Sequence, residues 1–112
     1  MYKYNAKLIR VIDGDTIDAL IDLGFSVWVK KRIRLYGIDA PETRTRDLEE
    51  KKAGQAAENR LIELLWLCGN EFVLVSHGVG KYGRCLGELF IENSQESVNQ
   101  TLINEGYAKV YE

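Results

Sequence analysis

Residues 2–24 read Tyr2-Lys3-Tyr4-Asn5-Ala6-Lys7-Leu8-Ile9-Arg10-Val11-Ile12-Asp13-Gly14-Asp15-Thr16-Ile17-Asp18-Ala19-Leu20-Ile21-Asp22-Leu23-Gly24, and Phe25 to Leu35 follow directly. Tyr2, Tyr4, Ala6 and Leu8 alternate with Lys3, Asn5 and Lys7, the period of a strand with one buried face, over residues 2–12. Asp13-Gly14-Asp15 is a turn signal, in which Asp-Gly supplies the positive backbone dihedral of a tight hairpin. Ile17, Ala19, Ile21 and Leu23 alternate again and Gly24 closes that strand. Phe25, Val27, Val29, Ile33 and Leu35 then predict a third, long strand. Three strands therefore meander before any helix.

Downstream, the segment from Gly37 to Thr45 has no periodicity, and Pro41 is incompatible with a central strand. Ala53, Ala57, Leu61, Leu64 and Cys68 recur at helical spacing, and Gly69 ends that helix. Phe72–Val75 and Cys85–Ile91 read as two further strands around a glycine-rich loop, Gly78 to Gly83. Ser97-Val98-Asn99-Gln100 has the form of a capping box, with Val98, Leu102 and Ile103 on the buried side of a last helix that Gly106 stops. The order predicts an α+β, mostly β fold: a five-stranded OB-fold barrel with a C-terminal helix, as one domain over residues 1–112.

The chain has 112 residues, 46% hydrophobic and 29% charged, with a net charge of −2. That composition fits one globular core and argues against a basic protein that coats nucleic acid. It does not argue against local phosphate binding, because Lys30, Lys31, Arg32, Arg34, Arg44 and Arg46 lie close in sequence. The longest nearly apolar run, Leu61 to Cys68, is too short to span a bilayer. Lys3, Lys7 and Arg10 interrupt any secretory core. The chain as it stands is expected in the cytoplasm, or outside the cell if a leader was removed. Cys68 and Cys85 lack metal or redox spacing and read as free thiols. His77, beside Gly78 and Gly80, reads as a surface loop residue.

Three segments carry chemistry-bearing side chains: Val11 to Thr16, Arg34 to Thr43, and Lys81-Tyr82-Gly83-Arg84. Asp15 and Asp39 each close a strand-like segment and can project from a barrel rim. Converging carboxylates suit a hard cation, with Ala40 or Thr43 able to add oxygen atoms; a plain Asp-Gly-Asp turn is the competing explanation. Arg34 shares one strand face with Lys30 and Arg32, which suits a bidentate phosphate grip or merely a solvated basic face. Glu42, in irregular backbone near Asp39, is placed to activate a water. Lys81, Tyr82 and Arg84 combine cations with a ring able to stack on a base.

Taken together, these segments resemble the thermonuclease family of staphylococcal-nuclease-like domains. Gly54-Gln55-Ala56-Ala57 resembles that family's first-helix Gly-x-x-Ala pattern, and Ser97 to Val110 its second helix and exit strand. The resemblance implies a calcium (Ca2+) dependent nuclease of low sequence specificity, cutting DNA or RNA and leaving 3′-phosphorylated ends. It implies that Asp15, Asp39 and the Ala40 carbonyl bind the ion, and that Asp13 acts on the metal's waters. Arg34 and Arg84 would bind phosphate, Glu42 would be the general base, and Lys81 and Tyr82 would bind the nucleotide. The chain differs in having Ala40 for the usual Thr, acidic Asp47–Glu50 before the helix, and a displaced late tyrosine for which Tyr111 is the candidate. A monomer acting on preferentially single-stranded substrate is expected. The alternative is a non-catalytic nucleic-acid- or protein-binding barrel.

Overall fold

The computed structural model describes residues 2–92 and 94–111, with the Tyr82 side chain outside the described residues. Strands β1 (Lys3–Asp13), β2 (Thr16–Asp22), β3 (Trp28–Leu35), β5 (Glu71–Val79) and β6 (Cys85–Phe90) close a barrel in the order β1-β2-β3-β6-β5. All pairs are antiparallel except β3–β6, where Ile33 faces Cys85 and Arg34 faces Leu86 in parallel register. Helix α1 (Leu48–Trp66) crosses between β3 and β5, and α2 (Val98–Asn104) follows β6. The expected mostly-β, five-stranded OB-type barrel with a C-terminal helix is the observed fold.

The inward faces follow the alternation of the sequence. Ala6, Ile17, Ala19, Ile33, Leu35, Leu74 and Leu89 fill the barrel, sealed by Leu61 and Leu65 of α1 and Leu102 of α2. Asp47 caps α1 by accepting the Glu49 and Glu50 amides, and both of those acids lie in the first turn. The acidic stretch is thus not a loop before the helix but its start, where negative charge complements the helix dipole. Ser97 caps α2 through the Gln100 amide as expected. No described helix is long and apolar enough to cross a membrane.

Several local expectations are corrected. Gly14 is not at positive φ; its missing Cβ matters because one would lie 2.7 Å from the Ala57 Cβ and 2.8 Å from the Ala40 Cβ. Phe25 belongs to no strand: Phe25 and Ser26 both adopt left-handed backbone (φ 53° and 63°) at the tip of the β2–β3 turn. On α1 the buried positions are Gly54, Ala57, Leu61, Leu64 and Leu65, so the face is rotated and Ala53 is exposed. Cys68 lies past the helix end, and Cys68 and Cys85 are free. His77 sits within β5, its ring stacked on Tyr36 at 3.9 Å and its Nε2 2.5 Å from Glu88. That pairing shields it from solvent, so it is not a loop residue.

The aperiodic stretch after β3 holds a two-residue strand, β4 (Ile38–Asp39), paired antiparallel with β7 (Lys109–Val110). The Tyr111 amide donates to the Gly37 carbonyl at 2.9 Å, extending that pairing. This small sheet ties the chain's C-terminal segment to the loop that carries Asp39.

Candidate active site

The β1–β2 turn brings Asp13 and Asp15 to one end of the barrel. The Asp15 amide donates to Asp13 Oδ1 at 3.1 Å, and Thr16 Oγ1 donates to Asp15 Oδ1 at 3.0 Å. Asp15 is buried, and its Oδ2 also accepts the Ala40 amide at 3.0 Å, so the turn and the β4 loop are fastened to each other. Close packing of Gly14 between Ala40 and Ala57 permits that approach.

Arg34 joins the two carboxylates. Its Nη1 lies 3.0 Å from Asp15 Oδ2 and its Nη2 3.5 Å from Asp39 Oδ1, while Nη2 also donates to the Ile38 carbonyl at 3.2 Å. The Tyr111 ring lies under the same guanidinium, 5.4 Å from centroid to Cζ. Thus Asp13, Asp15, Arg34, Asp39, Ala40 and Tyr111 meet at one site although they span most of the chain.

Electrostatics at this point are crowded. Burial first, then the proton shared with Asp15 and the charge of Asp15, push the Asp13 carboxyl up to about 7. Burial works in the same upward direction on Asp15. The hydrogen bond from Asp13, the Ala40 amide and the Arg34 guanidinium outweigh it and hold Asp15 below the usual carboxylate range. Burial alone would lower the Arg34 pKa, but Asp15 and Asp39 raise it instead, so this guanidinium is permanently charged.

Beside Asp39 opens a cleft of about 440 Å³, lined by Asp39, Ala40, Glu42, Glu50, Tyr107 and Lys109 among others. Glu42 is exposed within it. Its backbone is held by α1: a Cβ on Gly54 would lie 2.6 Å from the Glu42 carbonyl oxygen and 2.7 Å from that of Pro41. The helix therefore sets the position of the Glu42 loop at its glycine. Lys109 faces Asp39 across the β4–β7 pair. Lys109 and Glu50 escape sequence reading, because nothing local in either segment signals proximity to Asp39.

The third segment is placed less tightly. Lys81 lies in a short 3-10 turn, Lys81–Gly83, and Arg84 immediately precedes the β6 residue that pairs with Ile33 of β3. Both are exposed. Arg84 is thus beside the strand that carries Arg34, without a contact to the carboxylates. Tyr82, expected to bind a nucleotide, has its side chain outside the described residues.

A family model described as staphylococcal nuclease homologue matches residues 32–112. The chain belongs to the staphylococcal nuclease homologue family. An uncharacterized protein of Methanocaldococcus jannaschii is 32% identical over 96% of this chain and 59% of its own length. A micrococcal nuclease of Shigella flexneri is 29% identical over 96% and 59%, and an uncharacterized endonuclease of Escherichia coli O157:H7 is 32% identical over 96% and 61%. The chain spans about three-fifths of the length of these curated relatives.

The residues at the site suit a hard divalent cation by the chemistry of the donors. Asp15 and Asp39 offer only oxygen, and the Asp13 carboxyl beside them, pushed up to about 7 first by burial and then by Asp15, adds a third oxygen donor. Among the described residues, no three His, Cys, Asp or Glu side chains form a ready-made cage. The two carboxylates instead share Arg34, a cation already supplied by the chain.

Proposed function

We propose that this chain is a metal-dependent nuclease that hydrolyses phosphodiester bonds of DNA or RNA with low sequence specificity. The single observation that supports it most is Arg34 bridging Asp15 and Asp39 beside the Glu42 cleft. A guanidinium, two carboxylates and an adjacent acid are the groups that phosphodiester hydrolysis requires. Family membership and the nuclease-named relatives support the same reading.

Asp15, Asp39 and the Ala40 carbonyl would hold the ion, for which calcium is the candidate. When bound, it supplies Lewis-acid stabilisation of the phosphate oxygens. Asp13 would hydrogen-bond the waters around it. Arg34 would exchange a carboxylate partner for a phosphate oxygen, and Arg84 would approach from β6; both oppose the charge that builds at phosphorus. Glu42 would take or orient the proton of the attacking water. Water oxygen bonds to phosphorus, the P–O5′ bond breaks, and the 5′ oxygen leaves with a proton, so the phosphate stays on the 3′ end. Lys81, Tyr82 and Tyr111 would hold the nucleotide. A single domain acting as a monomer on single-stranded substrate completes the reading.

The products test it. End-labelled oligonucleotide fragments should resist polymerase extension until phosphatase removes a 3′-phosphate. Fragments that extend without phosphatase would contradict the assigned bond scission.

A further inference from the structure

Trp28, Lys30, Arg32 and Arg34 occupy alternate positions of β3, so they share its outer face while Ile33 and Leu35 point into the core. From Arg34 at the candidate active site to Trp28 is six residues, roughly 20 Å of strand. Across that face Arg10 and Arg32 flank one acid, Asp18, at 3.0 and 2.9 Å, leaving the row net positive. Lys30 lies next along β3, and its partner position on β2 is the uncharged Leu20. Cations therefore continue away from the site, in a chain whose total charge is −2.

This path ends at a depression of about 500 Å³, at the opposite end of β3 from Arg34. Trp28, Phe72 and Phe90 give it aromatic walls, and Asn5 and Asp22 add amide and carboxylate atoms. Lys7 lies 5.1 Å from the Trp28 ring centroid and 3.9 Å from Glu71. Asp22, Glu71 and Glu92 outnumber Lys7 in this depression. Such a pocket repels phosphate yet suits a flat, uncharged ring with exocyclic amines and carbonyls.

We infer that this depression is a distal base-binding pocket for the substrate strand, joined to the active site by the cationic outer face of β3. The inference rests on the nuclease reading. A strand lying along β3 keeps its phosphates on Lys30, Arg32 and Arg34 and turns one base onto Trp28, several nucleotides from the cut. The site size would be roughly four nucleotides, the low end for this barrel type.

The experiment compares hydrolysis of a thymidine dinucleotide and a hexanucleotide by wild type, Trp28→Ala, Trp28→Phe and Lys30→Glu. It adds oligonucleotide titration of Trp28 fluorescence in a Trp66→Phe background. Trp28→Ala should raise KM for the hexanucleotide about tenfold and leave the dinucleotide unchanged. Trp28→Phe should restore most of it, and Lys30→Glu should repeat the length-selective loss. Quenching should appear with the hexanucleotide and not with the dinucleotide. Equal effects on both lengths, or none on either, would overturn the pocket. If wild type cleaves neither substrate, the nuclease reading fails instead; quenching then decides the pocket, supporting it when length-dependent and overturning it when absent.

Discussion

Gly54→Ala isolates the positioning of Glu42 from its chemistry. The added Cβ would lie 2.6 Å from the Glu42 carbonyl oxygen and 2.7 Å from that of Pro41, where ordinary contact begins near 3.4 Å. Both neighbours are backbone, so no side chain can swing aside, and helix and loop must part by about 0.8 Å. Overpacking of this kind costs about 1–3 kcal/mol, while alanine in a helix interior recovers about 1 kcal/mol over glycine. The net destabilisation is then about 0–2 kcal/mol, a loss of a few degrees in Tm for a chain of this size. Activity should suffer far more, because a misplacement near 1 Å can lower turnover on the order of a hundredfold. Thermal melts and single-stranded DNA cleavage, measured on the same preparation, separate the two effects. A stable variant with wild-type turnover would refute the claim that α1 sets the Glu42 position.

Glu42→Ser should lower turnover by orders of magnitude while oligonucleotide affinity, read by fluorescence, stays largely intact; lost affinity would mean that Glu42 is structural. Asp13, raised from 3.8 to about 7, binds its proton in the folded chain after the unfolded chain has released it. Its stabilising contribution is therefore full below about pH 4 and is lost as pH rises toward 7; NMR titration of the metal-free protein should give a carboxyl midpoint near 7, shifting down when calcium is added. Asp18 behaves oppositely, since Arg32 and then Arg10, against burial, hold it at about 2. Its contribution is present above about pH 4 and disappears as pH falls toward 2, and Asp18→Asn should cost about 1–2 kcal/mol in urea unfolding at pH 7 and little at pH 2.

The barrel was legible in its buried apolar residues: Ala6 of β1, Ile17, Ala19 and Ile21 of β2, and Ile33 and Leu35 of β3. These recur at alternate positions within β2 and β3, although β2 also buries the intervening Thr16 and Asp18. Hidden features are those fixed by distant partners. Ile38–Asp39 becomes a strand only through Lys109–Val110, some seventy residues on, so no local pattern announces it. His77 looks like a loop residue until Tyr36 and Glu88 cover it. Gly14 looks like turn chemistry, whereas its function is to let Ala40 and Ala57 approach. At the site, Asp15, Arg34 and Asp39 stood out as a set of charges. That Arg34 pairs with Asp15 follows from the β2–β3 register, which sets Thr16 opposite Arg34, and that Asp39 and Tyr111 join it follows from the β4–β7 pairing. Arg32 shared the sequence pattern of Arg34 yet pairs with Asp18 rather than with the carboxylates of the site, and its side chain stays half exposed, a difference set by register on β2.

Cleavage of single-stranded DNA by the purified protein, with calcium and with chelator, bears most directly on the proposed chemistry, with Asp15→Asn as the paired control. Calcium-dependent fragmentation by wild type, abolished by chelator and reduced by orders of magnitude in Asp15→Asn, is the expected result. Absence of cleavage with every divalent ion tried, or undiminished cleavage by Asp15→Asn, would contradict it.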